Sequence, residues 1–129
     1  MLFRSFVYRH VPKSGGDFAK QAAEASEFAA AQGKFWAMHA QLFANGDQHD
    51  IAQLVACASA AGLDAEACRK ALTERTFAAR VRELAVASVQ SGIIGTPTLF
   101  INGVHYENRI EEVLLEKAVR EALQASAGG

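Results

Sequence analysis

The chain has 129 residues and a mass of 13.8 kDa, the size of one ordinary domain. Hydrophobic residues make up 50% and charged residues 21%, which excludes a chain that is disordered throughout. The sequence contains no apolar run of the 18 or so residues that a membrane span requires. Thirteen basic and fourteen acidic side chains give a net charge of −1, which argues against a nucleic-acid surface. We therefore expect one domain over residues 1–129, with neither a nucleic acid nor a membrane as its partner.

The first segment of the chain, Phe3–His10, is expected to be a β-strand. Phe6, Val7 and Tyr8 are strong β-formers, and Pro12 closes the segment. Apolar and polar residues alternate in this segment, so it lacks the continuous apolar stretch of a signal peptide. The sequence as written therefore predicts a cytoplasmic protein.

Residues 17–91 are expected to form five helices, because apolar residues recur there at helical spacing. Asp17, Asp50 and Asp64 can cap the first, third and fourth helices, and Gly62 can end the third. The fifth helix is predicted over about residues 75–91, with an apolar stripe formed by Phe77, Val81, Leu84 and Ser88.

A β-hairpin and a last helix follow. Thr98–Ile101 is a short apolar run, Asn102-Gly103 is a strong two-residue hairpin signal, and Val104–Tyr106 is the return strand. Asn108 followed by Glu111 is typical of a capping box that opens the last helix.

The predicted order is thus strand, five helices, hairpin and helix, which favours a mixed α/β (α+β) domain rather than a bundle. We expect a small sheet of about three strands with about six helices. The helical block spans about residues 17–91, and residues 125–129 form a flexible tail.

Cys57 and Cys68 are too far apart for a Cys-x-x-Cys redox pair and lack the spacing of a zinc site. Two interpretations stay open: small buried hydrophobic residues, which we favour, or thiols that meet across a helical hairpin and form a disulfide. Neither thiol is predicted to be catalytic, and we expect no cofactor.

The four histidines of the chain and one cluster of three arginines do not predict a site. His39 shares an apolar helical face and is expected to pack there, and no metal site is predicted because the other histidines lie on different elements: His10, His49 and His105. Arg75, Arg80 and Arg82 alternate with glutamates, a pattern typical of a solvated helix face.

Four stretches together resemble the DsbA-like branch of the thioredoxin-fold disulfide oxidoreductases. They are FVYRHVP at 6–12, QGKFWAMHAQLF at 32–43, AGLD at 61–64 and GIIGTPTLFINGVHY at 92–106. The resemblance covers about residues 3–123. It implies a thioredoxin core with an inserted helical domain, in a family whose members are often periplasmic.

The same resemblance locates the candidate site. Family members carry Cys-x-x-Cys on a helix after their first strand, and this sequence starts at the position of the second strand. No residue here receives a catalytic role, so we expect no disulfide exchange. In the family, the loop that corresponds to Gly95, Thr96 and Pro97 faces the cysteine pair. The resemblance implies a cis Pro97 and backbone pairing of Thr96 with an extended substrate.

Alternative functions remain. The chain could be a non-enzymatic peptide-binding or assembly module that uses the loop at Pro97 or an open sheet edge, or a glutathione-binding relative of the kappa-class transferases and isomerases. Met1 could also be an internal start. A missing central strand would leave unpaired edges, so we expect a homodimer, with an extended peptide or protein as a further partner.

Overall fold

The computed structural model describes residues 5–12, 17–46, 50–93 and 95–128. These ranges hold six helices and a two-stranded sheet, in the order α1 (Asp17–Ala31), α2 (Phe35–Ala44), α3 (Ile51–Ala60), α4 (Ala65–Thr73), α5 (Ala78–Gln90), β1 (Phe100–Ile101), β2 (Val104–His105) and α6 (Glu112–Gly128). The chain forms two compact units. The first, unit A, is Arg9–Gly92, and the second, unit B, joins Met1–Tyr8 to Ile93–Gly129.

Unit A contains the five helices α1 to α5 and has its own apolar core. Helix α1 packs against each of the other four helices, so it lies at the centre of the unit. Small side chains along α1 allow this close packing. The buried core consists of Ala25, Phe28, Ala29, Met38, Leu54, Val55, Cys57, Ala58, Leu63, Cys68 and Leu72.

The predicted helix caps at Asp50 and Asp64 are confirmed. Asp50 Oδ1 accepts a hydrogen bond from the Gln53 amide at 2.8 Å, and the Asp50 amide donates to Gln53 Oε1 at 3.0 Å. This reciprocal pair is a capping box at the start of α3. Asp64 accepts from the Ala67 amide at 2.7 Å and so caps α4.

Helix α5 has the predicted inner face but begins later than predicted. Val81, Leu84 and Ser88 are buried. The helix starts at Ala78, because Arg75 has φ +55°, a left-handed conformation that a helix cannot contain. The assignment of Arg75 to a solvated helix face is therefore wrong.

In unit B the predicted hairpin is confirmed. Phe100 lies opposite His105 in the ladder, and Ile101 lies opposite Val104. Asn102 and Gly103 have φ +51° and +79°, the two positive values that a tight hairpin turn of this twist requires.

Two expectations are wrong, the first strand and the start of the last helix. Phe3 and Arg4 of the predicted first strand lie outside the described residues, and residues 5–12 are not a strand, so the described sheet has two strands and not three. The β-forming residues there show only that the segment is compatible with a strand conformation. A β-strand also requires hydrogen bonds to a neighbouring strand, which these residues alone do not indicate. Asn108 does not open α6, since its Oδ1 accepts from the Arg109 amide at 2.8 Å and the helix begins at Glu112. Helix α6 continues to Gly128, so it includes residues 125–128 of the tail that is predicted to be flexible.

The apolar residues of unit B are only partly covered. None of the described residues of this unit is buried, and Leu114 and Leu115 of α6 are half-buried. Several large apolar side chains are exposed instead: Phe6, Val7, Tyr8, Phe100, Val104, Ile110, Val113, Val119 and Leu123. Unit A thus carries the buried core of the described chain.

Candidate functional site

The loop of Gly95, Thr96 and Pro97 leads into the hairpin of unit B. The peptide bond between Thr96 and Pro97 is cis, and all three residues are exposed. The Thr98 hydroxyl donates to the carbonyl of Gly95 and closes the loop on itself. The Tyr106 amide donates to the Leu99 carbonyl at 2.9 Å, which extends the hairpin pairing back towards the loop. The loop is therefore accessible to a peptide that approaches the start of β1.

The two cysteines lie in the core of unit A, on α3 and α4, and both are free thiols. Burial raises the pKa of the Cys57 thiol. Burial also raises the pKa of the Cys68 thiol, an effect that Arg69 opposes and the neighbouring Cys57 reinforces. Since the thiolate is the nucleophile in disulfide exchange, this shift disfavours the reactive form of both residues.

Cys57 also lines a small polar cavity between α2 and α3. The cavity has a volume of about 180 Å³, and its wall includes Gln41, Asn45 and Gln53. The Cys57 thiol donates a weak hydrogen bond to the Gln41 carbonyl at 3.8 Å, and the Gln53 side chain is used by the capping box. These two contacts therefore serve the local structure of the two helices.

The described histidines form ring contacts and ion pairs. His10 is buried with Nε2 3.3 Å from Glu27 Oε1, and burial lowers its pKa against the opposing effect of that carboxylate. The His39 ring lies 5.7 Å from Phe35, as expected for a packing histidine, and His105 lies 5.4 Å from Phe100. His49 lies outside the described residues.

Metal-binding groups are also scattered. Within the described ranges, no three histidine, cysteine, aspartate or glutamate side chains come together as metal ligands.

The sequence analysis missed an ion pair between the buried Glu24 and the half-exposed Arg75. Glu24 is almost fully buried on α1, and Arg75 lies in the turn between α4 and α5. Arg75 Nε donates to Glu24 Oε1 at 3.0 Å, and Arg75 Nη2 lies 2.8 Å from Glu24 Oε2. The hydrogen bond that Arg75 donates to Glu24 and the negative charge of Glu24 raise the pKa of Arg75. The run of small residues on both sides of Glu24 was the available signal, because it indicates close packing around the helix.

A comparison with protein families identifies the chain. The family model described as thioredoxin matches residues 5–121, which is most of the chain. The chain belongs to the thioredoxin family. The expected thioredoxin-like domain is thereby confirmed, and a small sheet with six helices is consistent with a partial thioredoxin fold. No solved structure matches this thioredoxin-family chain.

Curated relatives of the chain are named as antiporters. The chain is 36% identical over 122 residues to the Na(+)/H(+) antiporter NhaA 3 of Salinispora tropica, an alignment that covers 94% of the chain and 19% of the relative. It is 36% identical over 118 residues to NhaA 1 of Salinispora arenicola (91% and 18%) and 34% identical over 122 residues to NhaA of Nitrosospira multiformis (92% and 19%).

The thioredoxin-family chain spans about a fifth of the length of these relatives. Within the described ranges, no helix has both the length and the apolar character needed to cross a bilayer.

Proposed function

We propose that this chain is a DsbA-like member of the thioredoxin family that works beside a Na(+)/H(+) antiporter and, as these 129 residues stand, does not catalyse thiol–disulfide exchange. The state of the two thiols carries the proposal. Both are buried on helices of unit A, and burial raises the pKa of each. Exchange requires an accessible thiolate and a second thiol that resolves the mixed disulfide.

Two further observations support the finer parts of this proposal. The exposed loop of Gly95, Thr96 and Pro97 lies two residues before strand β1, and the resemblance to DsbA-like proteins implies that this loop contacts an extended substrate. The antiporter relatives match at least 91% of the chain in each of the three comparisons above, which supports a role for this domain next to such a transporter.

Reduction of insulin by dithiothreitol tests the absence of exchange activity. We expect insulin to precipitate at the uncatalysed rate, within about twofold, when the chain is added at micromolar concentration, because neither thiol forms an accessible thiolate. The matched control is the double variant Cys57→Ala and Cys68→Ala, which should give the same rate. A rate enhancement that the double variant loses would show that these thiols are redox-active and would contradict the proposal.

We propose a second, non-enzymatic role for the hairpin of unit B, namely backbone pairing with an extended polypeptide. In the isolated protein, this polypeptide is a second copy of the same chain. Strand β2 pairs with β1 on one side. Val104 on β2 is 69% exposed, and Phe100 on β1 is also exposed. Exposed apolar strand edges favour association through backbone pairing.

Sedimentation velocity between 10 and 100 µM, an approximate range for weak self-association, tests this pairing. We expect a dimer of twice 13.8 kDa at the upper end and a shift towards monomer in Val104→Lys, because a charge on an edge strand opposes pairing. Val89→Lys is the matched control, since Val89 is equally exposed at 69% but lies on α5. A monomer throughout, or equal effects of the two variants, would refute the pairing.

A further inference from the structure

Helix α5 lies outside the contiguous core of unit A. That core is built from α1 to α4 and the turn at Leu63, and no residue of α5, which the structure describes in full, belongs to it. Among the described residues of unit A, α5 packs against α1 alone, whereas α2, α3 and α4 each pack against α1 and at least one further helix. Helix α5 is therefore joined to the rest of the unit through a single helix.

The sequence of α5 gives the helix little stability of its own. It has 13 residues, a length at which an isolated helix is marginal in water. Asp50 and Asp64 cap α3 and α4, whereas Phe77 at the start of α5 provides no side-chain cap. The first turn also contains Arg80 and no acidic residue, which is unfavourable at the positive end of a helix dipole. The helical state of α5 therefore depends on its packing against α1.

Two contacts fix the start of α5 on α1, and we name them together the α5 anchor: the Glu24–Arg75 ion pair and the ring contact between Phe28 and Phe77. The two phenyl ring centroids lie 6.4 Å apart at an interplanar angle of 76°, an edge-to-face geometry. Arg75 reaches the buried Glu24 from a left-handed backbone conformation, which is unfavourable for a residue with a Cβ atom. Such a turn persists only while its surroundings hold it, so we expect it to relax once the anchor opens.

We propose that α5 detaches from α1 as a whole while α1 to α4 stay folded, and that the α5 anchor sets how often this happens. The detached state loses the burial of Val81 and Leu84 but keeps the contiguous core. Detachment also hydrates the Glu24 carboxylate and relaxes the backbone of Arg75. Local opening of one element, at a lower free energy than global unfolding, follows from such an uneven distribution of packing.

Detachment changes the length of the segment that leads to the candidate loop. Helix α5 ends at Gln90, five residues before Gly95. Its 13 residues span about 20 Å as a helix and at most about 45 Å as an extended chain. The detached state thus gives the loop of Gly95, Thr96 and Pro97 a longer covalent tether to α1–α4 and extends its reach. This conformational device is independent of the redox and antiporter proposals.

Thiols placed on the buried face of α5 report the detached state. Val81→Cys lies in the first turn of the helix and Ser88→Cys in its last part, and each single variant retains Cys68, which is fully buried on α4. Global unfolding exposes both thiols of a variant equally. We therefore expect iodoacetamide to label each new α5 thiol at least about tenfold faster than Cys68, measured by peptide mass mapping. Rates in the urea-unfolded chain correct for intrinsic differences in thiol reactivity.

Arg75→Ala tests the α5 anchor in both cysteine variants. Alanine keeps a Cβ atom at the left-handed position and removes the ion pair, so labelling of both α5 thiols should become about tenfold faster, as an unpaired buried carboxylate predicts. Arg80→Ala is the matched control, because it removes an exposed pair with Glu83 within α5 itself. It should change the labelling rates by no more than about twofold.

Three outcomes would contradict the proposal. Equal labelling of the α5 thiols and Cys68 would show that α5 opens only when the whole unit unfolds. Faster labelling at one of the two α5 positions alone would indicate fraying of one helix end. Equal effects of Arg75→Ala and Arg80→Ala would show that the ion pair does not control the opening. If a cysteine variant does not fold, amide exchange of α5 measured against α3 in the unmodified chain provides the same comparison.

Discussion

Arg75→Ala is expected to lower the free energy of unfolding by about 1–3 kcal/mol, because it leaves a buried carboxylate without its partner. Glu24 is almost fully buried, whereas the Arg75 side chain is about half exposed. The cost therefore comes from the unpaired Glu24 carboxylate rather than from the loss of an arginine at the surface. Urea unfolding followed by circular dichroism at 222 nm measures the change.

Arg80→Ala is the matched control for this prediction. Arg80 pairs with Glu83 at 3.7 Å on α5, and both side chains are exposed. The loss of such a surface pair should change the unfolding free energy by no more than about 0.5 kcal/mol. Equal effects of Arg75→Ala and Arg80→Ala would show that the Glu24–Arg75 pair does not stabilise unit A.

The backbone of Arg75 allows a second, independent comparison. At φ +55° an alanine is strained by about 1–2 kcal/mol, whereas glycine adopts this conformation freely. We therefore expect Arg75→Gly to be less destabilising than Arg75→Ala, although both remove the ion pair. If the Glu24 charge causes the remaining loss, Glu24→Met should recover stability in the Arg75→Gly background.

Local features of the fold were predictable from the sequence, because their signals lie within a few residues. The Asp50 and Asp64 caps and the Asn102-Gly103 turn each depend on short-range hydrogen bonds or dihedral preferences. The buried face of α5 follows from helical periodicity. The structure has these features at the predicted residues, except that Phe77 of the predicted stripe precedes α5.

Features that depend on distant parts of the chain were not predictable in the same way. Glu24 and Arg75 are 51 residues apart, and the local sequence around each residue does not indicate that the other is its partner. The β-forming pattern at residues 5–10 could not show whether a neighbouring strand is present. The candidate loop at Thr96 and Pro97 was found only through its resemblance to a family, since composition and periodicity carry no information about substrate contact.

The largest expected effect follows from a difference in burial: unit A has a buried core, and none of the described residues of unit B is buried. Leu54 is fully buried at the centre of unit A, and Leu54→Ala should lower the unfolding free energy of that unit by about 2–5 kcal/mol. Leu115 of α6 is only half-buried in unit B. Leu115→Ala should therefore cost less than about 1 kcal/mol.

Hydrogen exchange of backbone amides separates the two units in this experiment. In the unmodified chain, amides of α1 and α3 should exchange more slowly than those of the hairpin and α6, because buried packing opposes local opening. Leu54→Ala should accelerate exchange in unit A. The experiment should be done at a protein concentration at which sedimentation shows a monomer. Otherwise, association through the hairpin would itself slow amide exchange in unit B. If Leu115→Ala lowers the unfolding free energy as much as Leu54→Ala under those conditions, unit B has a core of its own. The exposed apolar residues of unit B would then no longer be a reason to expect a partner at the hairpin.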